Sequence, residues 1–274
     1  MSEHRIHRRG LFLGAVAASG LTAAPRLSTA RILDEVLSSK KLRVGVNPTL
    51  PPLAKFSDKN ELEGFDVDVA RELAKMLGAE LELVQVGSPD RIPFVASGRI
   101  DIVMGAMTRT PERAKVIDFT VPVHTEILGV LTVEGKPFKT WQELNDDKIG
   151  LIQVRGTTPV QWIERNAPKA KVTLLDNYPD AIRALAQGRG DAMVDVLDFV
   201  GELMNNQRNT KWKVLDTPVD VYYCCLGVAK NSRSLTEWLN VALFDMHRSG
   251  FIDRSWEKWF GVKMFAATGV TPYF

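Results

Sequence analysis

The chain has 274 residues, 45% of them hydrophobic, and a formal net charge of +2. That composition excludes a disordered or fibrous chain. The length allows one large or two medium domains, burying roughly 70–75% of the extended surface. The small positive charge comes from the N-terminus, where Arg5, Arg8, Arg9 and Arg26 stand against Glu3 alone. The rest is near neutral and holds no basic stripe suited to nucleic acid or an anionic membrane.

The first segment reads as an export signal. His7-Arg8-Arg9-Gly10-Leu11-Phe12-Leu13 precedes a mild apolar run, and small residues up to Ala30 suit a signal peptidase. Two adjacent arginines before a Gly- and Ala-rich core match the twin-arginine type, so residues 1–30 are expected to be a signal peptide. The run is shorter than the roughly 18 residues a spanning helix needs. No other segment is long and apolar enough to cross a membrane, which predicts a soluble exported protein.

Leu42 to Val46 reads as a strand, followed by a Pro-rich loop from Asn47 to Phe56. Asp66 is expected to cap a helix with Val69, Ala70, Leu73, Ala74 and Leu77 on one face and Gly78 past its end. A strand over 81–84 and a short helix over 91–96 follow. Ile102-Val103-Met104 before Gly105 is a buried strand. Thr110-Pro111-Glu112 then reads as a helix start, with Thr110 as cap and Pro111 at the first helical position. Arg113 would sit in that first turn, just past a strand's carboxyl end. Free N–H groups and a guanidinium fork there suit a carboxylate, although the same residues also make an ordinary capped helix with a solvated Arg.

Strands are predicted over 127–133, 148–154, 171–175, 192–196, 212–215 and 222–229. Helices are predicted near 160–166, 179–187, 198–206, 235–248 and 253–260. Alternating strands and helices mean an α/β architecture with largely parallel sheets. The segments Ser97-Gly98-Arg99-Ile100-Asp101 and Gln187-Gly188-Arg189-Gly190-Asp191 both run from a helix into a strand. This echo suggests two similar lobes facing a cleft.

Cys224 and Cys225 are adjacent. Their Cα atoms lie about 3.8 Å apart, too close for an ordinary disulfide, and in a strand they point to opposite faces. They read as small, mostly buried strand residues, with a strained redox pair or a metal or partner contact as the alternatives. His124 and His247 give no zinc spacing along the chain and no triad, and no P-loop or nucleotide fingerprint occurs. No catalytic residue, metal or cofactor is expected. Trp256, Trp259 and Phe260 read as the packing face of a terminal helix, and Trp162 as core or surface of the second lobe in preference to a ligand platform.

Gly64-Phe65-Asp66-Val67-Asp68, Arg91-Ile92-Pro93, Ser97–Asp101, Thr108–Arg113, Ile117-Asp118-Phe119, Arg155-Gly156-Thr157-Thr158 and Glu257–Gly261 occur in this order. Together they resemble the periplasmic solute-binding proteins of polar amino acid ABC transporters, the bacterial extracellular solute-binding family 3. The resemblance implies the two-lobed periplasmic binding protein (Venus flytrap) fold, with each lobe a mostly parallel sheet flanked by helices and two strands as hinges. Lobe one would hold residues 31–131 and 224–274, lobe two residues 137–221, with hinges near 132–136 and 222–223. It implies a monomer that captures an amino acid or related carboxylate and hands it to a membrane permease, with no nucleic-acid partner.

Carried over by position, Arg113 would clamp the ligand α-carboxylate. Thr108 and the backbone at Ala106 would hold carboxylate and ammonium, and Gly156, Thr157 and Thr158 would add donors from lobe two. The family's ammonium-binding Asp falls on Val196 here, so Asp195 or Asp198 would have to serve. Asn47 stands where some members have an acid. Arg155, with Gln153, would read a second polar group. Leu50, Leu53 and Ser88 stand where the family often has aromatics. The resemblance also extends to periplasmic cyclohexadienyl dehydratases, an enzyme alternative in which Glu126 or Glu164 would act as general acid.

Overall fold

The computed structural model describes residues 31–215 and 218–265. The expected signal peptide lies outside them. Among the described residues no helix is long and apolar enough to cross a membrane.

In chain order, helix α1 (Leu33–Ser39) leads into β1 (Lys41–Val46). A small hairpin, β2 (Lys55–Phe56) and β3 (Leu62–Glu63), precedes α2 (Phe65–Leu77) and β4 (Glu80–Gln85). Then come α3 (Arg91–Ala96), β5 (Ile102–Val103) and the long β6 (Ile117–Val133). The second half contains β7 (Gly150–Val154), α4 (Thr158–Asn166), β8 (Lys171–Leu175), α5 (Tyr178–Ala186), β9 (Ala192–Val196), α6 (Leu197–Asn205) and β10 (Trp212–Val214). β11 (Asp220–Ala229), α7 (Arg233–Arg248) and α8 (Phe251–Phe260) complete it.

The strands pair in the order β4-β1-β5-β11-β6-β9-β7-β8, with β10 also on β6. β1 runs parallel to β4 and β5, and β7 parallel to β8 and β9. Two parallel groups, one per lobe, are thus joined through the antiparallel pair β6 and β11. β6 pairs with β11 from Ile117 to Leu128 and with β9 from Leu128 to Thr132. The molecule is α/β and two-lobed, with two long strands passing between the lobes.

The sequence pattern found the second half of β6 and missed the first. Pro122 within residues 117–126 argues against a strand, because it cannot donate to a ladder. The structure accommodates it at an irregularity: Cys225 pairs with Pro122, and the register shifts on either side of Cys225. A bulge is where a sheet tolerates a proline.

Two local expectations fail. α2 begins at Phe65 with Gly64 as its N-cap. Asp66 lies inside the first turn, buried, and accepts a hydrogen bond from Gly105 N at 2.8 Å. Its carboxylate therefore holds the loop after β5. The helix expected at Thr110 is a single 3-10 turn, Arg113–Lys115. Its N-cap is Glu112 instead of Thr110, although Arg113 N still donates to Thr110 Oγ1 at 3.2 Å. β6 begins at Ile117, which leaves room for one turn only, so no helix dipole builds up behind Arg113.

Packing follows the expected faces. Trp256 is buried, edge-on to Phe65 at 5.5 Å and stacked on Phe260. Trp162 is buried in the second lobe, edge-on to Trp141 at 5.1 Å. Cys224 and Cys225 are free thiols, both buried, and burial pushes both up, Cys225 to about 12.

Candidate ligand cleft between the lobes

The carboxyl ends of β5 and β9 face each other across a small, tightly closed cavity. Arg91, Ala106, Thr108 and Glu126 line it from the first lobe and β6; Thr157, Thr158, Tyr178 and Asp195 line it from the second. Pro159, Val196 and Tyr222 complete the wall. Ligands in open α/β sheets bind at strand carboxyl ends, so the location follows from topology.

On the first lobe, the turn after β5 puts Gly105 and Ala106 in succession at positive φ, 81° and 57°. An alanine there is conformationally strained. The turn is pinned by Asp66 from below. Arg91 holds it from the side, donating from Nη1 to the carbonyls of Gly105 and Ala106. Thr108 bridges to Cys224 of β11.

Arg113 is 6% exposed. Its Nη1 donates to Thr108 O at 2.8 Å and its Nη2 to Gly156 O at 3.0 Å. Burial, then the like charge of Arg91, lowers its pKa to about 10. Arg91 is 3% exposed and also reaches Gly156 O, at 3.3 Å. Two buried guanidinium groups of lobe one thus converge on one carbonyl oxygen of lobe two. Gly156 O stands where a carboxylate oxygen would be best held.

Gly156 is itself shaped for this approach. Its φ is +76°, and a Cβ there would lie 2.8 Å from Pro89 Cα of the first lobe. Past it, Thr157 caps α4, and its Oγ1 donates to Val154 O at 2.7 Å. Thr158 is the first residue of α4 and Pro159 the second, so the start of α4 opens on the cavity.

The structure separates the two candidate aspartates. Asp195 lines the cavity. Its Oδ1 accepts from Val196 N at 2.7 Å and Tyr178 Oη at 3.3 Å, while its buried Oδ2 has no partner among the described residues. Burial raises its pKa to about 7. Asp198 lies behind, accepting from Ile127 N at 2.7 Å. It ties α6 to β6 and is absent from the lining.

Two other expected site residues stand elsewhere. Asn47 is buried but used for support: Nδ2 donates to Ser88 Oγ at 3.0 Å and Oδ1 accepts from Thr49 N and Oγ1. Arg155 turns away from the cavity, exposed, with Nε on Asp176 Oδ1 at 3.1 Å. Gln153 is wholly buried and donates to Val194 O. Leu50 and Leu53 are fully buried in the core.

Sequence reasoning did not assign Arg91, Tyr178 or Tyr222 to the cleft. Arg91 opens α3 among apolar residues, where a solvated arginine is out of place, and that was the available signal. Glu126, which follows His124 and Thr125 and precedes the apolar run from Ile127 of β6, is 1% exposed; Glu164 is exposed on α4.

A two-lobed α/β protein with a polar, charge-lined cavity at facing strand ends is a small-molecule receptor by construction. The sequence matches the bacterial extracellular solute-binding proteins, family 3, over residues 42–262, and the chain belongs to that family. It is 30% identical over 227 residues to ABC transporter arginine-binding protein 1 of Escherichia coli (strain K12), covering 81% of this chain and 92% of that protein. It is 31% identical over 211 residues to the ABC transporter glutamine-binding protein GlnH of Bacillus subtilis (strain 168), covering 75% of each. Its fold matches the ancestral amino acid-binding protein AncCDT-1, a precursor of cyclohexadienyl dehydratase, with TM-score 0.76 and 31% identity over 83% of this chain and 99% of that one.

Proposed function

We propose that this protein captures an amino acid, or a closely related carboxylate, between its lobes and delivers it to the permease of an ABC transporter. One observation carries the reading. Buried cationic donors from one lobe, Arg113 and Arg91, meet a backbone oxygen of the other, and Arg91 shares the cavity wall with the acid Asp195, with Arg113 just behind that wall, on Thr108 O. A zwitterion matches both charges at once. Its carboxylate takes the guanidinium fork of Arg113, with Thr108, the Ala106 backbone and the Gly156-Thr157-Thr158 turn as further donors. Its ammonium meets Asp195.

Closure then follows from contacts that need both lobes. Of the described residues, lobe one takes 31–131 and 224–265 and lobe two 137–215 and 218–221, and the hinges near 132–136 and 222–223 work with the partner exchange of β6 around Leu128. The protein acts as a monomer in the periplasm, exported by the twin-arginine route, without enzymatic activity of its own.

Isothermal titration with a panel of amino acids tests this. One or a few members should bind tightly, and at 100 times the dissociation constant each should stabilise the protein by about 2.7 kcal/mol. A panel without a binder overturns the reading. The dehydratase-like alternative is favoured by one residue: Glu126 lines the cavity with a buried, unpartnered Oε2, as a general acid would. Aromatic product from prephenate or arogenate, lost in Glu126→Gln, would establish it.

A further inference from the structure

Beside the cavity, and sharing Glu126 with its wall, lies a second constellation whose His124 and Cys224 ligand capture does not use. His124 and Glu126 are two residues apart on β6, so their side chains leave the same face of the sheet. Cys224 of β11 is the cross-strand partner of His124, which brings it onto that face as well. One atom from each of the three, an imidazole nitrogen, a carboxylate oxygen and the thiol sulfur, lie within 4.8 Å of one another. All three residues are buried. His124 Nε2 and Glu126 Oε1 are 3.0 Å apart, and Glu126 Oε2 has no partner among the described residues.

We infer that His124, Glu126 and Cys224 form a binding site for a borderline divalent transition-metal ion of the zinc class. Bond lengths of about 2.0–2.3 Å let a single ion reach three atoms so placed, with small side-chain rotations. One imidazole, one carboxylate and one thiolate suit zinc or cobalt and disfavour magnesium or calcium, which require oxygen ligands. The platform is rigid. Two ligands sit on one strand and the third on its hydrogen-bonded neighbour, beside the bulge at Cys224–Cys225. Phe65 and Trp256 pack on the His124 ring, each at 5.3 Å between centroids, and Thr108 Oγ1 lies 3.8 Å from Cys224 Sγ.

Binding would displace the thiol proton of Cys224 and the His124–Glu126 hydrogen bond. Three protein ligands leave a fourth position open, and Glu126 lines the cavity, so that position is reached from the cleft. The ligand set escapes a motif search because it is assembled across two strands far apart in sequence, with no spacing along the chain.

The test uses the mature chain without a polyhistidine tag, stripped with chelator. Cobalt(II) is the probe, because a thiolate ligand gives a charge-transfer band in the near ultraviolet. One equivalent should produce that band together with tetrahedral visible absorption, and native mass spectrometry with zinc should show one ion per chain. Cys224→Ser should abolish the charge-transfer band. His124→Gln and Glu126→Gln should each weaken binding by more than about tenfold. Cys225→Ser, which alters the adjacent thiol, should leave the band intact and serves as the folded control. Absence of a bound ion, a cobalt spectrum without thiolate character, or a band lost in Cys225→Ser and kept in Cys224→Ser overturns the inference. None of these readouts depends on whether an amino acid binds, so the metal site and ligand capture fail separately.

Discussion

In the first lobe α3 runs into β5 through Gly98, Arg99 and Asp101; in the second α5 runs into β9 through Gly188, Arg189 and Asp191. Both glycines have φ of 71°. Arg99 N donates to Phe94 O at 3.1 Å, and Arg189 N to Ala184 O at 2.9 Å. Asp101 accepts from Arg43 N at 2.8 Å while its own N–H donates to Arg43 O. Asp191 does the same with Gly150 N at 2.7 Å and Gly150 O. The aspartate locks the outgoing strand to the first strand of its lobe in both cases. Beyond that device the lobes diverge. β5 leads to a strained turn and to Thr108 and Arg113, whereas β9 carries Asp195 next to its last residue, Val196. A repeated scaffold carrying opposite charges at equivalent ends is a way to require both lobes for one zwitterion.

The largest expected effect of breaking this complementarity is at Arg113. Arg113→Ala removes the fork that spans the lobes and leaves the ligand carboxylate desolvated. Affinity for whichever amino acid the panel identifies should fall by roughly 2–5 kcal/mol in isothermal titration. An unchanged affinity would move the anchor elsewhere, with Arg91 next in line.

The locking aspartates should differ despite their matching bonds. Asp101 is buried and held by both Arg31 and Arg43, whereas the Asp191 side chain is 25% exposed and paired with Lys136. Asp101→Ala should therefore destabilise by roughly 2–4 kcal/mol and Asp191→Ala by roughly 1–2 kcal/mol in urea melts. Equal losses would mean that the shared backbone bonds, rather than the ion pairs, set the energy.

A third test concerns the acid end. Burial raises Asp195 from 3.8 to about 7. The folded state then binds more protons than the unfolded one between about pH 4 and 7, so this group's contribution to stability falls as pH rises through that window and is flat above it. Asp195→Asn should be more stable than the parent at pH 8 by roughly 1–3 kcal/mol, and the difference should vanish toward pH 4. A pH-independent difference would mean that Asp195 stays ionised in the folded protein.

How much was legible beforehand follows the same division. The periodicity of α2, the strands from β7 onward and the duplicated Gly-Arg-x-Asp segments were readable because each is a local pattern. The first half of β6 was not, because a proline argues against a strand unless a bulge receives it, and bulges are set by the partner strand. Asp66 was misread as a cap since its true partner, Gly105 N, is distant in sequence. Arg91 and the Glu126–Cys224 proximity likewise depend on pairings that sequence spacing does not encode.

Arg155 supplies the smallest effect and a control on the whole comparison. The sequence places it beside the Gly156-Thr157-Thr158 turn, which suggests a role in reading the ligand. Its backbone continues the pairing of β7 with β8, with Arg155 N donating to Leu175 O at 2.8 Å. Its guanidinium, however, points outward to Asp176, and both side chains are more than half exposed. Exposed pairs of this kind contribute little, because solvent screens them and two long side chains lose freedom to form them. Arg155→Ala should therefore change stability by no more than about 0.5 kcal/mol and leave ligand affinity within the same margin. A loss approaching that of Arg113→Ala would show that Arg155 swings inward when ligand enters, and that the second lobe supplies a cation as well as an acid.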